Sequence, residues 1–217
     1  MIPKMKNFIK DLPFAAGVAR KIRNLKGEQV SKRHIKRLLR DREEIFLEVG
    51  AGNKKGENGW TSIDVTKECD IFWDLRKGLP FPNESISRIY SEHFLEHLSF
   101  KEGQRFLDDC LRVLLPGGMF SICVPNAKIY IDAYLNDRTL DNNQFFGYKL
   151  AYNNTTKIDY VNYTAYMDGH HKYMFDEENI LMILRSIGFS KVCLRSFDPH
   201  LDQVARQHES IYAEGVK

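Results

Sequence analysis

Apolar and polar positions along the chain follow two spacings, and together these predict an α/β protein. Short apolar runs predict strands at 45–49, 60–64, 69–73, 86–91, 119–124, 189–197 and 208–214. Apolar residues at helical spacing predict one helix after Ser99, where Ser99 and Glu102 form a capping-box pattern, and another after Asp176. Pro116-Gly117-Gly118 and Gly188 are the expected helix stops. Because strands and helices alternate, the sheet should be mainly parallel.

The first 43 residues predict a basic helical arm, followed by one domain over residues 44–217. Residues 1–44 carry 13 Lys and Arg against 5 Asp and Glu, a net charge of +8, whereas the remainder carries 19 against 24, a net charge of −5. One apolar stripe is formed by Phe14, Val18, Ile22 and Leu25, and a second basic helix over 31–42 turns Ile35, Leu38 and Leu39 inward. Such an arm favours an anionic partner. The pattern is equally typical of a helix packed on the domain, with solvated lysines outside.

Composition places the chain among globular, water-soluble proteins. It has 217 residues, of which 43% are hydrophobic and 28% charged, and no apolar run approaches the roughly 20 residues of a membrane span. The uncharged stretch 12–19 ends at Arg20-Lys21, which argues against a signal peptide. The four cysteines form no CxxC pair, so we expect reduced core residues in a cytoplasmic protein, with contact to an anionic membrane possible through residues 1–42.

A glycine turn followed by an acidic strand end is the most informative local pattern. The apolar run 45–49 leads into Gly50-Ala51-Gly52, and the next strand ends at Asp64. In an open α/β sheet, ligands lie across the carboxyl ends of adjacent strands. Glycine lets the backbone approach a ligand closely, and a carboxylate accepts hydrogen bonds from a ribose diol. The pattern therefore predicts a nucleoside ligand, with Glu48 holding an ammonium group or orienting the turn.

Several segments together resemble the class I S-adenosylmethionine-dependent methyltransferases. These are 47–52 (Leu-Glu-Val-Gly-Ala-Gly), 63–65 (Ile-Asp-Val), 74–81 beginning Asp-Leu, 91–98 (Ser-Glu-His-Phe-Leu-Glu-His-Leu) and 113–118 ending Pro-Gly-Gly. Their order is most similar to type-11 methyltransferases associated with polysaccharide modification. The resemblance implies a Rossmann-like sheet, mostly parallel with an antiparallel last strand, and S-adenosylmethionine as cofactor.

The resemblance also implies roles for individual residues. The turn formed by Gly50, Ala51 and Gly52, with Glu48 before it, would contact the methionine part of the cofactor. Asp64 and Val65 would hold the ribose, and Asp74 and Leu75 the adenine, although Asp74 also suits a turn cap before Arg76. Residues 91–93, beginning with Ser91, would line the reaction chamber.

The chain departs from the family between its first two strands. Residues 53–59 are too few for the usual helix, whose N-terminus would face the cofactor carboxylate. Lys54 or Lys55 is the expected substitute cation.

The segment His93-Phe94-Leu95-Glu96-His97 also fits the H-x-x-E-H pattern of zinc peptidases. A peptidase needs a long helix and a third ligand, but this segment directly follows a strand and precedes the helix cap at Ser99. We therefore expect no metal here and treat a zinc peptidase as a remote alternative. A hydrogen-bonded pair of Glu96 and His97 is the plainer expectation.

Residues 126–175 lie where this fold inserts its substrate-binding segment. The part from 145 to 175 contains nine Phe and Tyr residues, which would suit a sugar or a nucleobase. For most of them a small satellite core is the simpler interpretation. The turn at Asp168 and Gly169 is expected to present His170 and His171 to the site.

The sequence thus predicts a methyltransferase that modifies a hydroxyl of a glycan or glycolipid intermediate. A hydroxyl acceptor calls for a general base, and His93 ranks first because it follows the fourth strand. His171 ranks second, and His97 and His170 are further candidates. Two alternatives stay open: a nucleic-acid methyltransferase that uses the basic arm, and a non-catalytic S-adenosylmethionine-binding or membrane-adaptor protein.

Overall fold

One seven-stranded sheet organises the chain. The computed structural model describes the backbone of residues 13–217 and the side chains at residue 25 and from residue 27 onward. The strands are β1 (Phe46–Val49), β2 (Trp60–Asp64), β3 (Ile71–Phe72), β4 (Ile86–Glu92), β5 (Leu114–Pro125), β6 (Ser190–Leu194) and β7 (Ser210–Val216). Their order is β3-β2-β1-β4-β5-β7-β6, with β7 antiparallel to both of its neighbours and the β1–β5 pairs parallel. The predicted Rossmann-like sheet with an antiparallel last strand is confirmed.

Six helices accompany the sheet in the part of the chain that the structure describes. They are α1 (Pro13–Asp41), α2 (Phe100–Val113), α3 (Ala127–Leu135), α4 (Asn142–Phe145), α5 (Ile158–Tyr166) and α6 (Glu177–Ile187). The predicted capping box at Ser99 and Glu102 is present, as are the Asp176 cap and the left-handed Gly188 stop of α6. Helix α2 ends earlier than expected, at Val113, because Leu114 is extended and pairs with Ile86. Pro116-Gly117-Gly118 therefore lies in β5 and does not end the helix.

The N-terminal arm is one continuous helix over its described length, so the prediction of two helices is wrong. Gly27 does not break α1, since a single glycine costs a helix only about 1 kcal/mol. It also packs closely on Phe72 of β3, where a Cβ would lie 2.8 Å from the ring. Ser31 Oγ donates a hydrogen bond to the Phe72 carbonyl at 3.0 Å, and Ile35 and Leu38 are buried as expected.

The predicted apolar stripe of the arm falls mostly outside the described side chains. This holds for Phe14, Val18 and Ile22, whereas Leu25 is 53% exposed. No helix among the described residues has the length and apolar character that crossing a membrane requires.

Two separate apolar cores support the fold. The main core lies about the sheet and includes Leu47, Ile63 and Phe106. Three of the cysteines are buried as predicted, but Cys193 is exposed because it lies on the edge strand β6.

The second core lies within the insert 126–175 and is built from Tyr130, Ala133, Phe146, Tyr160 and Tyr163. Most of the aromatic residues in the insert thus serve packing, as the simpler interpretation predicted. Tyr148 and Tyr166 are exposed, at 45% and 64%.

Candidate active site

A cleft of about 440 Å³ opens at the carboxyl ends of β2 and β4. Four of the predicted cofactor residues line it, namely Asp64, Val65, Asp74 and Leu75, together with Trp73, Arg76, Phe94, His97, Leu98, Gly169, His170 and Lys172. The volume falls within the range of small-molecule sites, roughly 300–1,000 Å³. The cleft also lies where an open α/β sheet binds ligands.

Asp64 connects the glycine turn to the cleft. Its Oδ2 accepts a hydrogen bond from the Gly52 backbone N–H at 2.9 Å, and Thr66 Oγ1 donates to the Gly52 carbonyl. The side chain is nearly buried, with 9% of the residue exposed. Because Oδ1 makes no hydrogen bond among the described residues, Asp64 keeps an acceptor for a ribose hydroxyl.

Phe94 covers the glycine turn. Gly50 has a φ of +71°, and a Cβ at this position would overlap the Phe94 ring, which also packs edge-to-face on Phe106 at 5.2 Å. Gly52 has a φ of +62° but faces open space. The turn has the left-handed backbone that favours glycine, while Gly50 itself lies beneath Phe94, outside the cleft lining.

Asp74 is a turn cap, as one expectation had it, and it also lies at the cleft where the other expectation placed adenine. It lines the cleft, and it caps the 3₁₀ turn Leu75–Lys77 by accepting from the Arg76 backbone N–H at 3.1 Å. The Arg76 guanidinium binds both of its carboxylate oxygens at 2.9 Å, and this bonding lowers the pKa of Asp74. Oxygens that would contact adenine are thus already engaged by Arg76.

Glu48 faces a different cleft, of about 420 Å³, beside Lys54 and Lys55. It accepts from Lys54 Nζ at 2.9 Å, and Glu92 lies 3.4 Å from the same ammonium. Glu48 therefore binds an ammonium group, as one expectation had it, but the group belongs to Lys54 of the same chain and not to a ligand. Because Lys54 is already paired, it is poorly placed to replace the missing helix terminus.

The loop between β1 and β2 contains no helix over its described residues 50–59, as its length predicted. It is anchored by Asp70, whose Oδ2 accepts from the backbone N–H groups of Gly56 and Ser62 at 2.8 and 3.1 Å. Ser91 is fully buried on β4, and its Oγ has no hydrogen-bond partner among the described residues.

His93 is placed at the end of β4 as predicted, but its side chain points into a buried network. The backbone is left-handed there, with a φ of +47°. Ser210 Oγ donates to the Arg206 carbonyl, so His93 Nε2 donates to Ser210 Oγ at 2.8 Å and Nδ1 accepts from the Arg206 guanidinium. Burial, and next the Arg206 charge, hold the pKa of His93 well below its usual value. Both ring nitrogens are occupied, which leaves no lone pair for a substrate proton.

The other three histidines that the sequence offered as general bases lie together near the cleft. His97 and His170 line it, and the His97 and His171 rings are 5.1 Å apart. His97 Nδ1 lies 3.0 Å from the His170 carbonyl, and His171 Nδ1 lies 2.8 Å from the Thr164 carbonyl. Since a carbonyl only accepts, each Nδ1 carries the proton and each Nε2 keeps its lone pair. Burial lowers the pKa of both rings, to about 4 for His171.

Glu96 does not form the expected hydrogen bond with His97. Its Oε1 lies 3.9 Å from His97 Nε2 and 3.6 Å from His93 Nδ1, and both of its oxygens lack a hydrogen-bond partner among the described residues. The side chain is fully buried, which raises the pKa of Glu96 to about 8. His93 and His97 share no helix face, because only the 3₁₀ turn Leu95–His97 forms here.

A buried ion pair fixes the segment between β6 and β7 against the sheet end. Both terminal guanidinium nitrogens of Arg195 donate to Asp202 at 2.6 Å, and Tyr90 OH donates to Asp202 at 2.9 Å. The same segment carries Gln203, which donates to Glu92, and Arg206, which donates to His93. This connection therefore determines how the residues after β4 are held.

Sequence reasoning missed several cleft residues. Trp73 and Arg76 flank Asp74 and could have been inferred from that neighbourhood. Phe94 and Lys172 carried no signal of their own, because their positions depend on how the turn after β4 meets the insert.

Comparison with known proteins gives the family of the central region. Residues 47–122 match the family described as "Methyltransferase domain". Among solved structures, a SAM-dependent methyltransferase from Archaeoglobus fulgidus is 14% identical, with a TM-score of 0.51, over 88% of this chain and 94% of that one. A second, from Methanosarcina mazei, is 15% identical, with a TM-score of 0.50, over 81% and 93%. No curated protein matches the chain significantly.

The two structural likenesses establish a shared fold, and the matched domain spans the glycine turn, Asp64 and the segment 91–98. The residues that line the cleft fit the nucleoside end of the cofactor, since Asp64 offers a free carboxylate oxygen there. Residues 47–122 accordingly form a methyltransferase domain, the described fold is shared with SAM-dependent methyltransferases, and the cleft fits S-adenosylmethionine as the cofactor.

Proposed function

We propose that this methyltransferase modifies a hydroxyl group of a glycan or glycolipid intermediate. The observation that carries the proposal is an exposed aromatic surface beside the cleft. Tyr148 is 45% exposed, and its ring lies 6.4 Å from that of His170, which lines the cleft. An exposed tyrosine offers an apolar face for a sugar ring and a hydroxyl for its polar edge.

Cations at the same cleft suit an acceptor that carries phosphate. Arg76 and Lys172 both line it, and their side chains are 55% and 45% exposed. Lys172 lies 3.7 Å from Glu102, too far for a strong hydrogen bond, so its ammonium stays available for an anion. A phosphorylated or lipid-linked sugar would combine the two features.

The chain's own residues would position the acceptor and take its proton. S-adenosylmethionine, when bound, supplies an electrophilic methyl group on a sulfonium that leaves as a neutral thioether. Transfer to oxygen needs a proton acceptor, and His97 and His170 lie at the cleft whereas His93 does not. His170 is exposed and its ring makes no hydrogen bond among the described residues, so we place it first for this role.

Helix α1 supports a further proposal, that the enzyme docks on anionic membranes through residues 1–42. Leu25 and Val30 are exposed apolar residues, at 53% and 64%. Lys32, Arg33 and Lys36 are exposed basic residues of the same helix. Apolar side chains beside lysine and arginine are the features with which surface helices bind anionic lipid.

Isotope transfer tests the acceptor class. The protein is incubated with S-adenosylmethionine deuterated at the methyl group and with sugar nucleotides, lipid-linked saccharides or transfer RNA, and products are read by mass spectrometry. We expect a mass shift in a saccharide, and less transfer with Asp64→Ala when the cofactor is limiting. Label in RNA alone would instead support the alternative of a nucleic-acid methyltransferase. Cofactor binding without methyl transfer to any acceptor would favour a non-catalytic protein.

Two variants of one residue test the aromatic surface. Tyr148→Ala removes the stacking face and should raise the KM for the saccharide by about tenfold, the scale of one lost aromatic contact. Tyr148→Phe keeps the face and should change the KM little. Equal KM values in both variants and the wild type would exclude Tyr148 from acceptor binding.

A further inference from the structure

Three side chains beside the cleft converge in a way that the methyltransferase reaction does not explain. Glu96, His97 and His171 each offer one ligand atom, and these atoms all lie within 4.8 Å of one another. The cluster differs from the His93 and His97 pair that the H-x-x-E-H pattern suggested. The new member, His171, comes from the insert, and only folding brings it to the turn after β4.

Glu96 makes the cluster unusual, because a carboxyl group is buried there without compensation. The residue is 1% exposed, and both of its oxygens lack hydrogen-bond partners among the described residues. A buried carboxyl without partners is costly, and buried charges are normally paired or bound to metal. Two imidazole nitrogens lie near its Oε1, His93 Nδ1 at 3.6 Å and His97 Nε2 at 3.9 Å. Since Arg206 already occupies His93 Nδ1, that ring does not satisfy Glu96.

Both histidines of the cluster are oriented as metal ligands usually are. Their Nδ1 atoms donate to backbone carbonyls, His97 to His170 and His171 to Thr164. Such bonds fix the tautomer and leave Nε2 free to bind a metal. Two imidazole nitrogens and one carboxylate oxygen form a donor set that suits divalent transition metals.

Backbone hydrogen bonds hold the two halves of the cluster together. The Glu96 carbonyl accepts from the N–H groups of Lys172 and Tyr173, at 2.8 and 3.3 Å. The segment that carries His171 is thus attached to the turn that carries Glu96 and His97. Ligand atoms around a tetrahedral zinc are about 3.4 Å apart. In the cluster they lie within 4.8 Å of one another, with 3.9 Å between Glu96 Oε1 and His97 Nε2, so binding zinc needs a closure of up to about 1.4 Å.

We propose that Glu96, His97 and His171 form a binding site for a divalent transition metal, of which zinc is the best match to the donor set. Three protein ligands leave at least one coordination position open, as in catalytic metal sites. Because His97 lines the cleft, that position would lie at the cleft wall.

One consequence rests on the proposed function. A hydroxyl oxygen of the acceptor in the open position would become more acidic, as metal-bound water does. With His97 serving as a ligand, His170 would remain to take the proton. Metal binding itself needs neither acceptor nor cofactor, so the experiment below omits both, and its failure is separate from failure of the acceptor proposal.

Cobalt titration tests the site, since bound Co²⁺ absorbs visible light according to its ligands. The full-length protein, first treated with chelator, is titrated with Co²⁺ and then with Zn²⁺ as competitor. We expect one ion per chain, a spectrum of a low-coordinate nitrogen and oxygen site, and displacement by zinc. Glu96→Gln, His97→Asn and His171→Asn should each weaken binding by at least about tenfold.

His200→Asn is the matched control, because His200 is exposed and lies outside the cluster. It should bind cobalt like the wild type. Circular dichroism shows whether each variant is folded. If a variant is not folded, the wild-type titration alone tests the proposal. Absence of one tightly bound ion in the wild type overturns the proposal, and so does a folded Glu96→Gln protein with undiminished affinity.

Discussion

The backbone N–H of Gly52 donates to the carboxylate of Asp64 across 2.9 Å, which joins the turn after β1 to the end of β2. One side chain thereby fixes the loop and offers its second oxygen to the cleft. Cofactor binding and loop geometry should consequently depend on the same residue.

Asp64→Ala should weaken S-adenosylhomocysteine binding by about 1.5–3 kcal/mol, the scale of hydrogen bonds to a charged group. This corresponds to roughly a 10- to 150-fold rise in Kd by calorimetry. Glu68→Ala, which removes a nearby exposed carboxylate, should bind like the wild type. Unchanged affinity in Asp64→Ala would remove Asp64 from the cofactor site.

Gly50→Ala and Gly52→Ala should differ in stability although both glycines have a left-handed backbone. Both variants incur the conformational cost of about 1 kcal/mol, but only Gly50→Ala also collides with Phe94. The free energy of unfolding should therefore fall by about 1–3 kcal/mol more for Gly50→Ala. Denaturant titration measures both, and equal losses would mean that Phe94 does not rest on Gly50 in solution.

Asp202→Ala should be among the most destabilising changes in the domain. Its carboxylate is fully buried, so the change strands the Arg195 guanidinium and costs about 3–5 kcal/mol. Asp41→Ala breaks an ion pair of similar length with Arg40, but that pair is exposed and its loss should not be measurable. A small effect of Asp202→Ala on the denaturation midpoint would show that the buried pair rearranges.

His93→Asn and His170→Ala should separate structure from catalysis. Loss of His93 breaks two buried hydrogen bonds and should lower stability by about 1–3 kcal/mol while turnover stays within a few-fold. Loss of a general base at His170 should reduce kcat by roughly 10²–10⁴ with normal stability. The reverse pattern, a stable but inactive His93→Asn enzyme, would return His93 to the role that its strand position first suggested.

Binding to anionic vesicles should weaken as salt screens the basic arm, for example between about 0.05 and 0.5 M. Deleting residues 1–26 should reduce vesicle binding and leave cofactor affinity unchanged, since Gly27 and Ser31 keep their contacts with β3. Vesicle sedimentation and calorimetry measure the two quantities. Undiminished sedimentation of the shortened protein, or preference for RNA at matched salt, would contradict membrane docking by the arm.

The sequence predicted those features whose cause is local. Spacing and length predicted the strand positions, the capping box at Ser99 and a loop without a helix over 53–59. The structure has each of these features. The pairing of the glycine turn with Asp64 was also foreseeable, because parallel strand ends meet at one edge of a sheet.

Features that depend on side-chain direction or distant partners were not predictable. The sequence correctly placed His93 at the end of a strand. It could not show that the left-handed backbone there turns the ring towards Arg206. The approach of His171 to Glu96 depends on how the insert packs. The helix α1 continues through Gly27 because β3 gives that glycine a packing partner.

The packing of Gly27 on Phe72 also places helix α1 along the edge strand β3. An uncovered edge strand offers free backbone groups to other chains and invites self-association. Here Ser31 bonds the Phe72 carbonyl and His34 bonds the Asp70 carbonyl, so α1 shields the β3 edge. Deleting residues 1–43 would therefore expose the β3 edge of the sheet as well as remove the basic helix. The shortened protein should then self-associate through that edge.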